Sequence, residues 1–410
     1  MLTFFILFMF ITGCTNDAQD EAQTTPITPD GDYAIDDNTP ISNERISSED
    51  PANATGISDL LQEDTSLESN QKENKKDITP KKPDKVEVKG LYLNRTSIKE
   101  ENIQKYIDLI KGTNLNAAVI DIKDDFGKLT YDSNIDLVNQ IGSDSNPATR
   151  DLAKLIKRLK EEGIYTIARI VVFKDPYLAA NKTDFSMKRS DGSVWQDAAG
   201  TKWVDPYKKE VWNYITSIAQ EAADSGFDEI QYDYIRFPEN GKKVDQEVAF
   251  ANPENRTKAE NILAFLNYSN EQLQEYPVYV SADVFGLVTT ATDDMGIGQV
   301  WENISPNVDY ISPMTYPSHY APGSYGIKNP DASPYDVMLQ AMQDAKQRNQ
   351  KLKTNGKHAA TIRPWIQDFD YKRSYTIQDV QNQIKALNDQ GITQYLIWNA
   401  TNVYTKEAYK

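Results

Sequence analysis

Along residues 86–410 one pattern recurs: an amphipathic helix, a Gly or Asn stop, then a short apolar strand, as in KRLKEEG-IYTIARIVVF, EAADSG-FDEIQYDYIRF and KALNDQG-ITQYLIWNA. Apolar positions three and four residues apart give way, after the glycine that ends each helix, to a strand. Eight strands are predicted, at 90–94, 117–124, 165–173, 229–236, 278–285, 309–316, 359–367 and 395–399. Helical periodicity is clearest between them at 99–111, 149–161, 207–224, 257–274, 334–348 and 376–389. Strand–helix alternation repeated eight times predicts an α/β domain over 85–410, a (β/α)8 TIM barrel. A doubly wound open sheet is the weaker reading, because no Gly-rich phosphate loop follows the first strand.

The phase of the strands adds chemistry. One parity holds Tyr92 and Asn94, Asp121 and Lys123, Arg169, Gln231 and Asp233, Ser281 and Asp283, Ser312, Met314 and Tyr316, Arg363 and Trp365. The other is mainly Leu, Ile, Val, Ala and Pro, suited to packing beneath helices. The polar set is therefore expected to face the barrel axis near the C-terminal strand ends, where barrel active sites lie. Taken singly, each of these residues fits a core ion pair or a surface cap; polar groups in register on seven strands describe a site.

Asp233, in GFDEIQYDYIRFP, ends the fourth strand, and a carboxylate buried there is either paired, with Arg236 and Tyr232 nearby, or catalytic. Asp283 ends the fifth strand, so both acids are expected to project into one mouth. Two carboxylates about 5 to 9 Å apart suffice for glycoside hydrolysis, one protonated to release the leaving oxygen and one ionised as nucleophile or base. Asp233 is assigned the second role and Asp283 the first, with Asp121 in reserve. Neighbouring strands hold such acids close, which predicts the shorter separation and a retaining mechanism. Candidate substrate-binding residues are Asp121, Lys123, Arg169, Trp203, Tyr232, Arg236, Tyr316, Arg363, Trp365 and Trp398: aromatic faces for sugar rings, cations to orient carboxylates or bind acidic substituents.

Other chemistries lack equipment. His319 and His358 have no ligand spacing, and Asp121-Ile122-Lys123-Asp124-Asp125 lacks the Gly and Glu positions of a calcium loop, so neither metal nor cofactor is expected. No Gly-x-Ser-x-Gly elbow supplies a serine nucleophile.

The first residues, MLTFFILFMFITGC, are too short an apolar run to span a membrane, and they end in the lipobox pattern Ile11-Thr12-Gly13-Cys14. They resemble the signal peptide of bacterial lipoproteins, 1–14, which implies a lipid on Cys14, the only cysteine of 410 residues, and a protein anchored on the extracytoplasmic face of the cell membrane. A Lys or Arg before the apolar run is missing from that pattern. Residues 15–84 are predicted to be a disordered acidic linker: polar, with a single aromatic, Tyr33. Their 17 acidic and 6 basic residues carry −11 of the net −17, so the acidity is mostly a property of the linker. No basic patch favours nucleic acid. The remaining 326 residues hold 37 of the 42 aromatics, enough for one large core in a monomer.

GFDEIQYDYIRFP, WVDPYKKEVWNYI (203–215), DYISPMTYPSHY (309–320) and YLIWNA together resemble a bacterial family of putative glycoside hydrolase domains, (β/α)8 barrels often found on lipoproteins and distantly alpha-amylase-like and chitinase-like. The resemblance spans about residues 86–408 and implies a catalytic role for Asp233 and a polysaccharide or oligosaccharide substrate. The chitinase proton donor, a glutamate near the end of the fourth strand, has Ile235 or Arg236 in its place here. The competing expectation is a glycan-binding surface lipoprotein that kept the barrel without the chemistry; a raised pKa on one of the two acids favours the enzyme.

Overall fold

The computed structural model describes residues 81–410. The predicted signal peptide with Cys14, and the predicted linker as far as residue 80, lie outside the described residues. The strands are β1 (Lys89–Leu93), β2 (Ala117–Lys123), β3 (Tyr165–Val171), β4 (Glu229–Asp233), β5 (Tyr279–Phe285), β6 (Tyr310–Met314), β7 in two pieces (Thr361–Ile362 and Trp365–Gln367) and β8 (Tyr395–Trp398). All pairings among them are parallel, β8 pairs with β1, and a β5–β6 pairing completes the ring. The result is the expected (β/α)8 TIM barrel.

The larger helices over its outer face are α1 (Ile103–Lys111), α2 (Leu152–Glu161), α3 (Lys209–Asp224), α4 (Lys258–Leu273), α5 (Pro334–Thr354) and α6 (Ile377–Asp389). Two begin in capping boxes, Thr257 with Glu260 and Thr376 with Asp379, which satisfy amide groups at each helix start. The stop after α3 is Gly226 at φ 95°, a conformation that only a residue without Cβ adopts cheaply. No helix among the described residues is long and apolar enough to cross a membrane.

Two strands depart from the sequence reading for local reasons. β4 was expected to run to 236 but ends at Asp233, because Tyr234 turns to φ 49°, in the left-handed region. β7 is split at Arg363-Pro364, since proline has no N–H to continue the ladder. Outward-facing Ile, Leu, Val and Ala of the strands pack with the helices, whereas a separate apolar set inside the ring contains Tyr92, Val119, Tyr165, Ile167, Tyr279, Tyr310 and Trp365. The barrel interior is thus a packed second core, with polar residues layered into it.

Candidate active site

The charged interior has two storeys. In the lower one Arg363 donates to both carboxylate oxygens of Glu229, to Oε2 at 3.0 Å, and both side chains are fully buried. Ser281 Oγ donates to Glu229 at 2.5 Å, Tyr165 Oη donates at 3.2 Å, and the Tyr310 ring lies 4.2 Å from the guanidinium. Arg363, expected as a substrate ligand, is here a core residue whose fork is occupied by Glu229.

The upper storey is built around Arg169 of β3. Its Nε and Nη2 donate to Asp233 Oδ2 at 2.9 and 2.6 Å, and Nη1 donates to Asp121 Oδ1 at 2.7 Å. Asp125, in the loop after β2, accepts from Nη1 at 3.3 Å. One guanidinium therefore holds three carboxylates. Register explains the convergence: Asp121 pairs with Arg169 across β2–β3, and Arg169 with Gln231, two residues before Asp233, across β3–β4. Beside the guanidinium, Tyr92 and Trp398 stack at 4.2 Å, and Arg169 lies 5.6 and 5.1 Å from their rings. Tyr92 Oη donates to Asp121 Oδ2 at 2.5 Å.

Asp233 is aimed from both sides. Its Oδ1 accepts the N–H of Tyr234 at 2.6 Å, and this contact uses the left-handed turn that ends the strand. A tyrosine in that region stores backbone strain, and strain of this kind gathers at functional sites. The Tyr234 ring is buttressed by Lys174 at 4.6 Å, Arg236 at 4.9 Å and an edge contact from Trp203 at 6.0 Å.

Asp283 is held differently. Gln231–Ser281 and Tyr232–Ala282 pair across β4–β5, so Asp233 and Asp283 are the next residues in the same register. Asp283 Oδ1 accepts from Trp365 Nε1 at 2.8 Å, a bond that crosses the ring from β5 to β7 and points the carboxyl inward. Its Oδ2 is buried without a hydrogen-bond partner, and the residue is 1% exposed. Burial, and then the charge of Asp233, push its pKa well above the ordinary carboxylate value. Asp121 is also pushed up, to about 7, by burial that outweighs the pull of Arg169. Burial acts on Asp125 too, but Arg169 and Lys174 overcome it and hold its pKa below the usual value. Three neighbouring acids, Asp121, Asp125 and Asp283, are thus shifted unequally by their surroundings, the condition for dividing acid and base roles within the cluster.

The structure brings together Asp121, Arg169, Asp233, Asp283, Trp365 and Trp398 from the residues singled out in the sequence. It separates the others. Tyr232 points outward, where its hydroxyl bonds Ser269 of α4 at 2.6 Å, because it has the opposite parity to Asp233. Lys123 follows a register shift in β2 and is buried in an ion pair with Asp175 at 2.8 Å. Trp203 donates to Asp197 at 2.9 Å, and Arg236 donates to Glu239 at 2.8 Å under the Phe285 ring, so both support Tyr234 from behind. Tyr316 packs edge-on to His319 and Phe369. Asp125 figures in the sequence only as part of a cation-loop candidate, and its place beside Arg169 has no signal there because loops carry no period. Glu229 shares the parity of Asp233 and was visible in principle.

Among solved structures, a hypothetical protein from Ruminiclostridium thermocellum is 39% identical over 50% of this chain and 98% of its own, with a TM-score of 0.42. The PgaB (BpsB) glycoside hydrolase domain from Bordetella bronchiseptica is 14% identical, covers 78% of this chain and 97% of its own, and has a TM-score of 0.52, a likeness of fold. An alpha-galactosidase from Thermus thermophilus is 11% identical over 80% of this chain and 61% of its own, with a TM-score of 0.49. No curated protein matches the chain. The model of one family matches residues 90–404, covering the barrel but for the first residue of β1 and including the acids described above, and the chain belongs to that family, the putative glycosyl hydrolase domain.

Proposed function

We propose that the barrel hydrolyses a glycosidic bond within a polysaccharide, with Asp283 as general acid and Asp233 as nucleophile or base. The observation that carries this reading is the unlike treatment of two inward acids at one height on adjacent strands. Asp233 is ion-paired with Arg169 at 2.6 Å, while Asp283 has only an indole N–H on one oxygen and nothing on the other. A protonated Oδ2 with no internal acceptor carries a proton that the fold does not use, and this is the proton assigned to the glycosidic oxygen. As the leaving group departs, positive charge develops on the sugar and the Asp233 carboxylate meets it. Strands about 4.8 Å apart favour the shorter carboxyl separation and retention of configuration. Asp121, near neutrality and bonded to Tyr92, is placed to tune Arg169 rather than to reach the sugar.

The lipobox supports the further reading of a protein anchored through Cys14 on the extracytoplasmic face of the cell membrane, with residues 15–84 as a self-repelling tether. Cys14→Ala is then expected to move the protein from the membrane fraction to the soluble one.

The test of the reaction is incubation of the full chain with chitosan, xylan, mixed-linkage glucan, starch and galactomannan, following new reducing ends. Release by the wild type, abolished in Asp233→Asn, supports the assignment. Binding without release, unchanged in Asp233→Asn and Asp283→Asn, identifies a glycan-binding protein instead.

A further inference from the structure

We propose that Phe126 is an aromatic platform for a sugar ring of the polymer chain, in a subsite beyond the reacting bond; this rests on the glycoside hydrolase reading above. Three large hydrophobic residues are exposed among the described residues, Phe126 at 62%, Ile377 at 44% and Val403 at 69%, and Phe126 is the one aromatic. Exposed apolar side chains are common and mean nothing singly. The position of Phe126 is what distinguishes it: its neighbour Asp125 is bonded to the same guanidinium that holds Asp233. Asp125 ties this short loop to the acid cluster, and the next side chain along it, Phe126, is exposed.

The loop backbone that carries the ring is held in place. Asp124 Oδ1 accepts the N–H groups of Phe126 at 3.0 Å and Lys128 at 2.9 Å, while the Asp124 N–H donates to the Lys128 carbonyl at 3.0 Å. Gly127 N–H donates back to the Asp124 carbonyl at 3.0 Å, with φ at +77°, and a Cβ there would lie 1.9 Å from Asp175 Oδ1. The turn therefore fits against the β3 loop only with glycine at its tip. Lys128 Nζ closes the far side 4.8 Å from the centre of the Tyr177 ring. An aromatic carried on a fixed turn loses little freedom when a ligand covers it, so most of the buried apolar area is available for binding. The complementary ligand surface is the flat C–H face of a pyranose ring, a unit or more away from the bond at Asp283.

The experiment compares the wild type, Phe126→Ala and Phe126→Trp as full chains on the polymer in the above set that the wild type cleaves, and on nitrophenyl glycosides of its monosaccharide. The platform predicts that Phe126→Ala lowers kcat/KM on the polymer about fivefold through KM, with kcat retained. It also predicts no change on the nitrophenyl glycoside, which ends short of Phe126, and recovery on the polymer in Phe126→Trp. An unaltered melting temperature is expected, because the ring buries little in the fold. Equal kcat/KM on the polymer for the wild type and Phe126→Ala overturns the platform while leaving the glycosidase reading intact. A wild type that releases no reducing ends from any of the polymers overturns both.

Discussion

The two storeys of charge inside the barrel are made from the same material and behave differently. The lower one matches one acid, Glu229, to one base, Arg363, adds Ser281 and Tyr165 as further donors to the carboxylate, and leaves neither side chain exposed. The upper one sets four acids around one guanidinium, so that Asp283 is left with an unpartnered oxygen and burial is not compensated. A polar group on an inward position therefore does not mark a site by itself. The imbalance does, because it keeps neighbouring carboxyls in different protonation states with one of them unused by the fold.

That contrast predicts unlike responses to substitution. Asp233→Asn removes the acid that Arg169 grips through two nitrogens and is expected to lower kcat/KM by at least about 10³-fold with the fold retained, read from reducing-end release and circular dichroism. Asp283→Asn removes the proton donor. Activity on natural glycosides is expected to fall by about 10²- to 10⁴-fold, and much less on aryl glycosides whose leaving groups depart without protonation.

Asp283→Asn also has a stability signature of opposite sign. Its native pKa lies above the unfolded value of about 3.9, so folding favours the protonated acid. That contribution is complete below the unfolded pKa and is lost as pH rises through the native one. The neutral amide escapes the loss, so the variant should gain stability relative to the wild type at neutral and alkaline pH, measured by urea midpoints, and not in acid.

In the lower storey, Arg363→Met leaves Glu229 buried and unpaired and is expected to cost about 3 to 5 kcal/mol of stability, while Arg363→Met with Glu229→Leu recovers most of it. Activity per folded molecule should change little in that double variant; a loss comparable to that of Asp233→Asn would erase the distinction between the storeys. Tyr232→Phe, on the outer face, is expected to cost about 1 kcal/mol through its bond to Ser269 and nothing in kcat/KM.

The barrel was legible because eight helix-to-strand transitions carry their own punctuation, and the inward face because a strand has a period of two. Parity reports a face but not a height, which is why Arg363 read like Arg169 although one lies in the lower storey and the other in the upper one. Tyr232 was drawn in by its place in a motif against its own parity. Lys123 followed a register shift that no periodicity announces. Asp125 and Phe126 lie in a turn whose shape depends on Gly127 meeting Asp175, a contact between two loops. The turn at Tyr234 that aims Asp233 has no sequence signal either, since tyrosine is a poor choice for a positive φ.

The central claim is that Asp283 is held protonated beside an Asp233 that is paired with Arg169, and infrared difference spectroscopy at neutral pH reads the first of these without a substrate. The spectrum of the wild type minus that of Asp283→Asn should contain the carbonyl stretch of a protonated carboxylic acid. Carboxylate bands alone in that difference would show Asp283 ionised at neutral pH and contradict its assignment as the general acid.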